Sequence, residues 1–126
     1  MARKKPLQTI LIAEDNKDMA GILVQLLEAE GYETKVAYNG GGIFDFLRKG
    51  TPDLILLDIM MPGVDGAETL LKIKSQTQTQ DIPVIICTGL DDMNSVEKFF
   101  NWGAADYILK PFDNERVLQK VRRFCG

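Results

Sequence analysis

The chain has 126 residues, of which 45% are hydrophobic and 26% charged, and its formal net charge is −3. That length fits one domain with its own core. The composition excludes disordered and fibrous classes, and the weak negative charge gives no reason to expect nucleic acid as a main partner. Two cysteines and no histidine exclude a disulfide framework and a zinc site and suit a reducing, cytoplasmic compartment.

In chain order, Arg3-Lys4-Lys5 reads as a solubilising tail. The apolar segment after it, 7–13, is short and broken by Gln8, so neither a signal peptide nor membrane insertion is expected. Residues 9–13 (TILIA) predict a buried strand. Residues 17–30 predict a helix with one apolar stripe of Met19, Ile22, Leu23, Leu26 and Leu27, stopped by Gly31. Residues 33–37 are a more polar strand suited to a sheet edge. Gly40-Gly41-Gly42 precedes a short helix that ends near Gly50. No Lys-Ser or Lys-Thr follows the glycines, so they are a helix start and not a phosphate-binding loop.

Residues 53–57 form a third strand ending on Asp58, and 61–66 (MPGVDG) a turn-rich loop. A helix over 67–75 takes its apolar face from Leu70, Leu71 and Ile73, and 76–80 reads as its frayed end plus a solvated loop. Residues 83–87 are a second fully apolar strand, ended by Thr88, and Cys87 should be buried. A helix over 92–102 stops at Gly103, a fifth strand covers 106–109, and a last helix over 114–124 faces inward with Val117, Leu118 and Val121. Five strands alternating with five helices predict an α/β fold, a doubly wound parallel sheet with helices on both faces.

Ligands of such sheets sit at the C-terminal ends of the strands. Those ends carry Glu14-Asp15, Asp58, Thr88 and Lys110. Singly, each has a bland explanation: a strand-end Asp is most often a helix cap, as Asp15 could be for the helix at Lys17. Together they place three carboxylates, a hydroxyl and an ammonium on one rim. Three carboxylates repel one another, an arrangement that makes sense around a small hard cation. Mg2+ prefers such oxygens and would draw in phosphate. Asp58 is then a nucleophile able to form an acyl phosphate, Lys110 pairs with it before reaction and with a phosphate oxygen after, and Thr88 donates its hydroxyl to another oxygen.

The motifs resemble those of the receiver domains of two-component response regulators: 10–16 (ILIAEDN) their acidic opening, 58–66 (DIMMPGVDG) their phosphoacceptor stretch, 87–89 (CTG) their hydroxyl motif and 103–112 (GAADYILKPF) their closing motif. The match runs from about residue 9 to residue 124, so residues 1–126 are expected to be one receiver domain. The resemblance implies a flavodoxin-like strand order of 2-1-3-4-5 in a three-layer α/β/α fold. It implies that Glu14, Asp15, Asp58 and the backbone carbonyl of Met60 hold Mg2+, that Asp58 is phosphorylated, and that Thr88 and Lys110 contact the phosphoryl group. It also implies a cis peptide at Lys110-Pro111 and an aromatic switch at Tyr107, swinging inward when Thr88 moves. Such a protein catalyses its own phosphorylation and dephosphorylation without being a turnover enzyme.

Four positions bear on how the chain compares with the family pattern. Glu14 stands where many members have aspartate, Gly89 where alanine is commoner, and Met60 and Leu90 are both apolar. With no acid, amide or base at the last two, slow autodephosphorylation is expected. The implied partners are a sensor histidine kinase or histidine phosphotransfer protein upstream and a protein target downstream. The target would meet the last helix-strand-helix face around Glu97, Asp106, Arg116 and Lys120, where a homodimer would also form. One ring among Phe99, Phe100 and Trp102 is expected in an interface. The chain reads as a single-domain regulator. The alternatives are a degenerate receiver that binds a partner without phosphorylation and a flavin-binding protein. The latter is disfavoured because Glu14 and Asp15 would repel a phosphate.

Overall fold

The computed structural model describes residues 8–61, 65–89 and 93–125. Arg3-Lys4-Lys5, Leu90 and the Pro62-Gly63-Val64 part of the turn lie outside the described residues. The elements alternate without exception: β1 (Thr9–Ala13), α1 (Lys17–Ala29), β2 (Glu33–Ala37), α2 (Gly40–Lys49), β3 (Leu54–Asp58), α3 (Gly66–Ser75), β4 (Val84–Thr88), α4 (Met93–Asn101), β5 (Asp106–Leu109) and α5 (Asn114–Cys125). All strand pairs are parallel, in the order β2-β1-β3-β4-β5. The flavodoxin-like doubly wound fold expected from the sequence is therefore the observed one. The polar strand β2 is at an edge, and no described helix is long and apolar enough to cross a membrane.

Side chains alternate along a strand, and the two faces of the sheet sort accordingly. Leu11, Ala13, Ile55, Leu57, Val84 and Ile86 pack with Ile43 of α2, Leu70 and Ile73 of α3 and Phe99 of α4. Ile10, Ile12, Leu54, Leu56, Ile85, Cys87 and Ile108 pack with Leu23 and Leu27 of α1 and Val117, Val121 and Cys125 of α5. The central strands β3 and β4 are buried at every residue, which is why they read as continuous apolar runs.

Local chemistry sets the helix ends. The Asn16, Asn39 and Asp65 side chains each accept an amide hydrogen bond from three residues on and start α1, α2 and α3. Asn39 draws the triple glycine into the first turn of α2 instead of leaving it as a lead-in. Gly31 and Gly103, at φ 93° and 103°, turn the chain after α1 and α4, a backbone region open to glycine.

Some expectations about individual side chains are corrected. Ile22 and Leu71, assigned to apolar stripes, are half exposed, while Ala20 and Thr69 take the buried positions. The inward positions recur at three- and four-residue spacing, Ala20, Leu23 and Leu27 in α1 and Gly66, Thr69, Leu70 and Ile73 in α3, which leaves Ile22 and Leu71 beside the stripe. The 76–80 segment is solvated as expected at Gln76, Thr77, Gln78 and Gln80, but Thr79 is buried and its hydroxyl donates to the Ile73 carbonyl at 2.6 Å. The Lys74 ammonium closes the same loop by donating to the carbonyls of Gln80 and Ile82. Burial lowers its pKa, with Asp81 pulling the other way. Among the aromatic residues of α4 and its C-terminal turn, Phe99 is buried, Trp102 half-buried and Phe100 exposed.

Gly66 marks a close approach. A Cβ there would lie 2.4 Å from Ile59 Cβ and 2.6 Å from its Cα, and Ile59 directly follows Asp58. Gly66→Ala is expected to cost about 2 kcal/mol through overpacking, read as a lower midpoint in urea unfolding. It should also displace the 59–60 backbone.

Candidate functional site

Counting by two along the strands places the site. Asp58 shares the parity of Leu54 and Leu56, Glu14 that of Ile10 and Ile12, and Lys110 that of Ile108, so all three carry over the α1/α5 face of the sheet. Asp58 ends β3, Glu14-Asp15 follows β1, and Lys110 follows β5, held by its amide donating to the Thr88 carbonyl at 2.8 Å. Lys110-Pro111 is a cis peptide.

Ligand atoms of Glu14, Asp15 and Asp58 lie within 4.8 Å of one another. Glu14 and Asp58 are buried and Asp15 is exposed at the mouth. The Lys110 ammonium lies between the two buried carboxylates, 2.9 Å from Glu14 Oε1 and 3.1 Å from Asp58 Oδ2. The sequence pointed to the Asp58 pair only, and Glu14 is the nearer partner. The longer arm of glutamate at this position brings its carboxylate to the lysine.

Backbone amides hold the other oxygens. Met60 N donates to Asp58 Oδ1 at 2.9 Å and Asn16 N to Glu14 Oε2 at 3.2 Å. Met60, singled out for its carbonyl, thus touches the cluster through its amide, while its side chain is exposed. Asp15 is not the helix cap it could have been, because Asn16 fills that role. Thr88 ends β4 fully buried, and Tyr107 on β5 is half-buried. Ile86 pairs with Tyr107 and Thr88 with Leu109, so Thr88 and Tyr107 share the opposite parity.

Burial pushes the Glu14 carboxyl up. The Lys110 hydrogen bond and the Asn16 amide pull it down, Asp58 adds to the rise, and the net direction is up. Burial opposes the charge on Lys110, but hydrogen bonds and charge from Glu14 and Asp58 outweigh it, so its pKa is raised.

Cys87, expected only to be buried, pairs with Asp58 across the β3–β4 ladder and forms the floor of the site. No linear pattern gives that register, since aligning the ends of the two apolar runs would set Asp58 against Thr88, one residue away from its observed partner. Burial pushes its thiol up from 9.0 to about 12, with Lys110 pulling down and Asp58 and Glu14 adding to the rise. Native alkylation at pH 8 should therefore be slow, since a shift of that size lowers the thiolate fraction by roughly 1000-fold. Labelling should appear only on denaturation, which mass spectrometry would show. An acid raised in the folded state stabilises fully below its unfolded pKa, so this contribution fades as pH rises above 9.0 towards about 12.

All the donors at the cluster are oxygens, and the chain has no histidine. That set fits a hard divalent cation such as Mg2+ better than zinc or copper. The arrangement can hold such a cation, present a buried carboxylate at a fixed strand end, and set an ammonium beside it.

The profile of the response regulator receiver domain family matches residues 10–122. Response regulator ArlR of Staphylococcus saprophyticus is 38% identical over 113 residues, 90% of this chain and 50% of that protein. The chain spans about half the length of the curated relatives it matches. Among solved structures, the signal receiver domain of a signal transduction histidine kinase from Syntrophus aciditrophicus is 37% identical with a TM-score of 0.84, covering 93% of this chain and 89% of that one. A response regulator receiver domain protein from Methanospirillum hungatei is 30% identical with a TM-score of 0.85, covering 94% and 93%. With the same strand order and a family match over nearly its whole length, the chain belongs to the response regulator receiver domain family.

Proposed function

We propose that residues 1–126 act as one phosphoacceptor switch in the cytoplasm, loaded on Asp58 in the presence of Mg2+. The observation that carries this reading is the Lys110 ammonium set 2.9 Å from Glu14 and 3.1 Å from Asp58, within a cluster of three carboxylates. Glu14, Asp15, Asp58 and the Met60 carbonyl would hold Mg2+, which supplies charge neutralisation for the transferring group. The Met60 amide fixes the Asp58 carboxylate in one rotamer. An Asp58 oxygen attacks the phosphorus of a phosphohistidine. The P–N bond breaks, its electron pair returns to the imidazole, and an aspartyl phosphate forms. Lys110 exchanges its Asp58 contact for a phosphate oxygen, and Thr88 moves to donate to another. Positioning and charge do most of the work in such transfers.

A sensor histidine kinase or a histidine phosphotransfer protein is the donor. The output is a protein target, or a second copy of the chain, on the α4-β5-α5 face, where Phe100 and Leu109 are exposed beside Arg116. The degenerate reading, a receiver that binds without phosphorylation, is disfavoured because every required side chain is present. Incubation with Mg2+ and a small phosphodonor should give one phosphate adduct by intact mass, lost in Asp58→Ala and lost with a chelator. No adduct with any donor or metal would overturn the reading. The exposed, apolar Met60 offers nothing to activate a water. The adduct should therefore outlast minutes, and a lifetime of seconds would overturn that expectation.

A further inference from the structure

Lys120 of α5 spends its whole donor capacity on two adjacent residues of β5. Its ammonium lies 3.0 Å from Asp106 Oδ1, donates to the Tyr107 carbonyl, and sits 4.5 Å from the centre of the Tyr107 ring. A lysine has three N–H donors. Two meet oxygens, and the third is left for the face of the ring, where a cation is attracted by the ring quadrupole. On α4, Phe100 meets the same ring edge-on, with centroids 6.3 Å apart and planes at 84°. The half-buried Tyr107 ring is thus gripped between two helices.

We propose that Lys120 is a positioning residue that latches the Tyr107 ring in its present orientation, so that the resting population of the switch is set from α5 as well as by Thr88. This rests on the reading of Tyr107 as a switch. An inward swing would break the contacts of the ring with Lys120 and Phe100 and leave the Asp106 ion pair and the carbonyl hydrogen bond in place. The latch therefore biases the ring without holding the fold together. Asp106 supports this separation. It is buried, but it also pairs with Arg123 at 3.2 Å and accepts from the Tyr107 amide at 2.8 Å, so losing Lys120 does not leave it alone. A partner carboxylate on the α4-β5-α5 face that drew Lys120 away would release the ring.

The test is ¹⁹F NMR of the full chain with fluorotyrosine. The chain has three tyrosines, and Tyr107→Phe assigns the signal. Lys120→Met should raise the inward population of Tyr107 by about five-fold with no phosphodonor present. Lys120→Arg, which keeps a cation over the ring, should restore the parent spectrum. Lys120→Gln, which keeps a donor for Asp106 but no charge, should resemble Lys120→Met, and it serves in place of Lys120→Met if that variant does not fold. A Tyr107 signal that is the same in folded Lys120→Met or Lys120→Gln as in the parent overturns the latch. The switch reading fails separately, if Mg2+ and phosphodonor produce the adduct in the parent without moving the Tyr107 signal.

Discussion

Asp58→Asn is expected to take up no phosphoryl group and, without added metal, to be more stable than the parent by about 1 kcal/mol. Asp58 lies within 4.8 Å of two other carboxylates and 3.1 Å from one ammonium. At an effective dielectric of about 20, each repulsion is worth about 3 kcal/mol and the attraction about 5 kcal/mol. The repulsions slightly outweigh the attraction, and neutralising a buried group also removes a desolvation cost. Lys110 keeps Glu14 at 2.9 Å, so no charge is stranded, and the asparagine oxygen can still accept from the Met60 amide. Urea unfolding in chelator checks the sign, and a loss of stability would overturn the account. With one carboxylate fewer, the rise in melting temperature on adding Mg2+ should also shrink. The residue that would carry the chemistry is thus one the resting fold would be better without.

Lys110→Met should do the opposite, costing about 3 kcal/mol at neutral pH, because removing one partner of a buried ion pair strands the charge of the other. Here two are stranded, since Glu14 and Asp58 are 2% and 3% exposed. The loss should depend on pH with a definite sign. Burial already raises the Glu14 carboxyl, and without the lysine it rises further. An acid raised in the folded state contributes stability at low pH that is lost as pH climbs through its unfolded value near 4.5. The penalty should therefore be small in acid and grow towards neutrality. Adding Asp58→Asn to Lys110→Met should recover a good part of it, a coupling that a double-mutant cycle reads directly. Phosphorylation by a small donor should fall by about a hundred-fold in Lys110→Met, as for loss of one electrostatic donor at a reacting centre. A variant as stable as the parent at pH 7 would show that the cluster is not held together by this lysine.

The fold was legible because the two central strands are buried on both faces and so carry unbroken apolar runs, while glycines mark the ends of α1 and α4. The rim residues were legible for the same reason, each being the first polar residue after an apolar run. What distinguishes partners within the rim is geometry that no linear pattern contains. Lys110 and Glu14 are far apart in sequence and meet only because β5 and β1 end at the same level, with glutamate's extra methylene spanning the gap. Met60 was singled out for one backbone atom and touches the cluster with the other. Ile22 and Leu71 were misplaced because an apolar residue beside a stripe looks like part of it. Thr79 was read as solvated because polar residues are usually outside, yet its hydroxyl finds the carbonyl of Ile73 in α3.

The parity of the strand ends has a consequence for how variants should sort. Glu14, Asp58, Cys87 and Lys110 fall on the side of the sheet covered by α1 and α5, while Thr88 and Tyr107 fall on the side covered by α2, α3 and α4. Under the proposed function, the sheet is a partition between a loading side and a reporting side. Lesions beneath α1 and α5 would change how fast the protein is charged. Lesions beneath α3 and α4 that spare Thr88 and the 59–60 backbone would leave charging intact and mute what the charged protein tells its target.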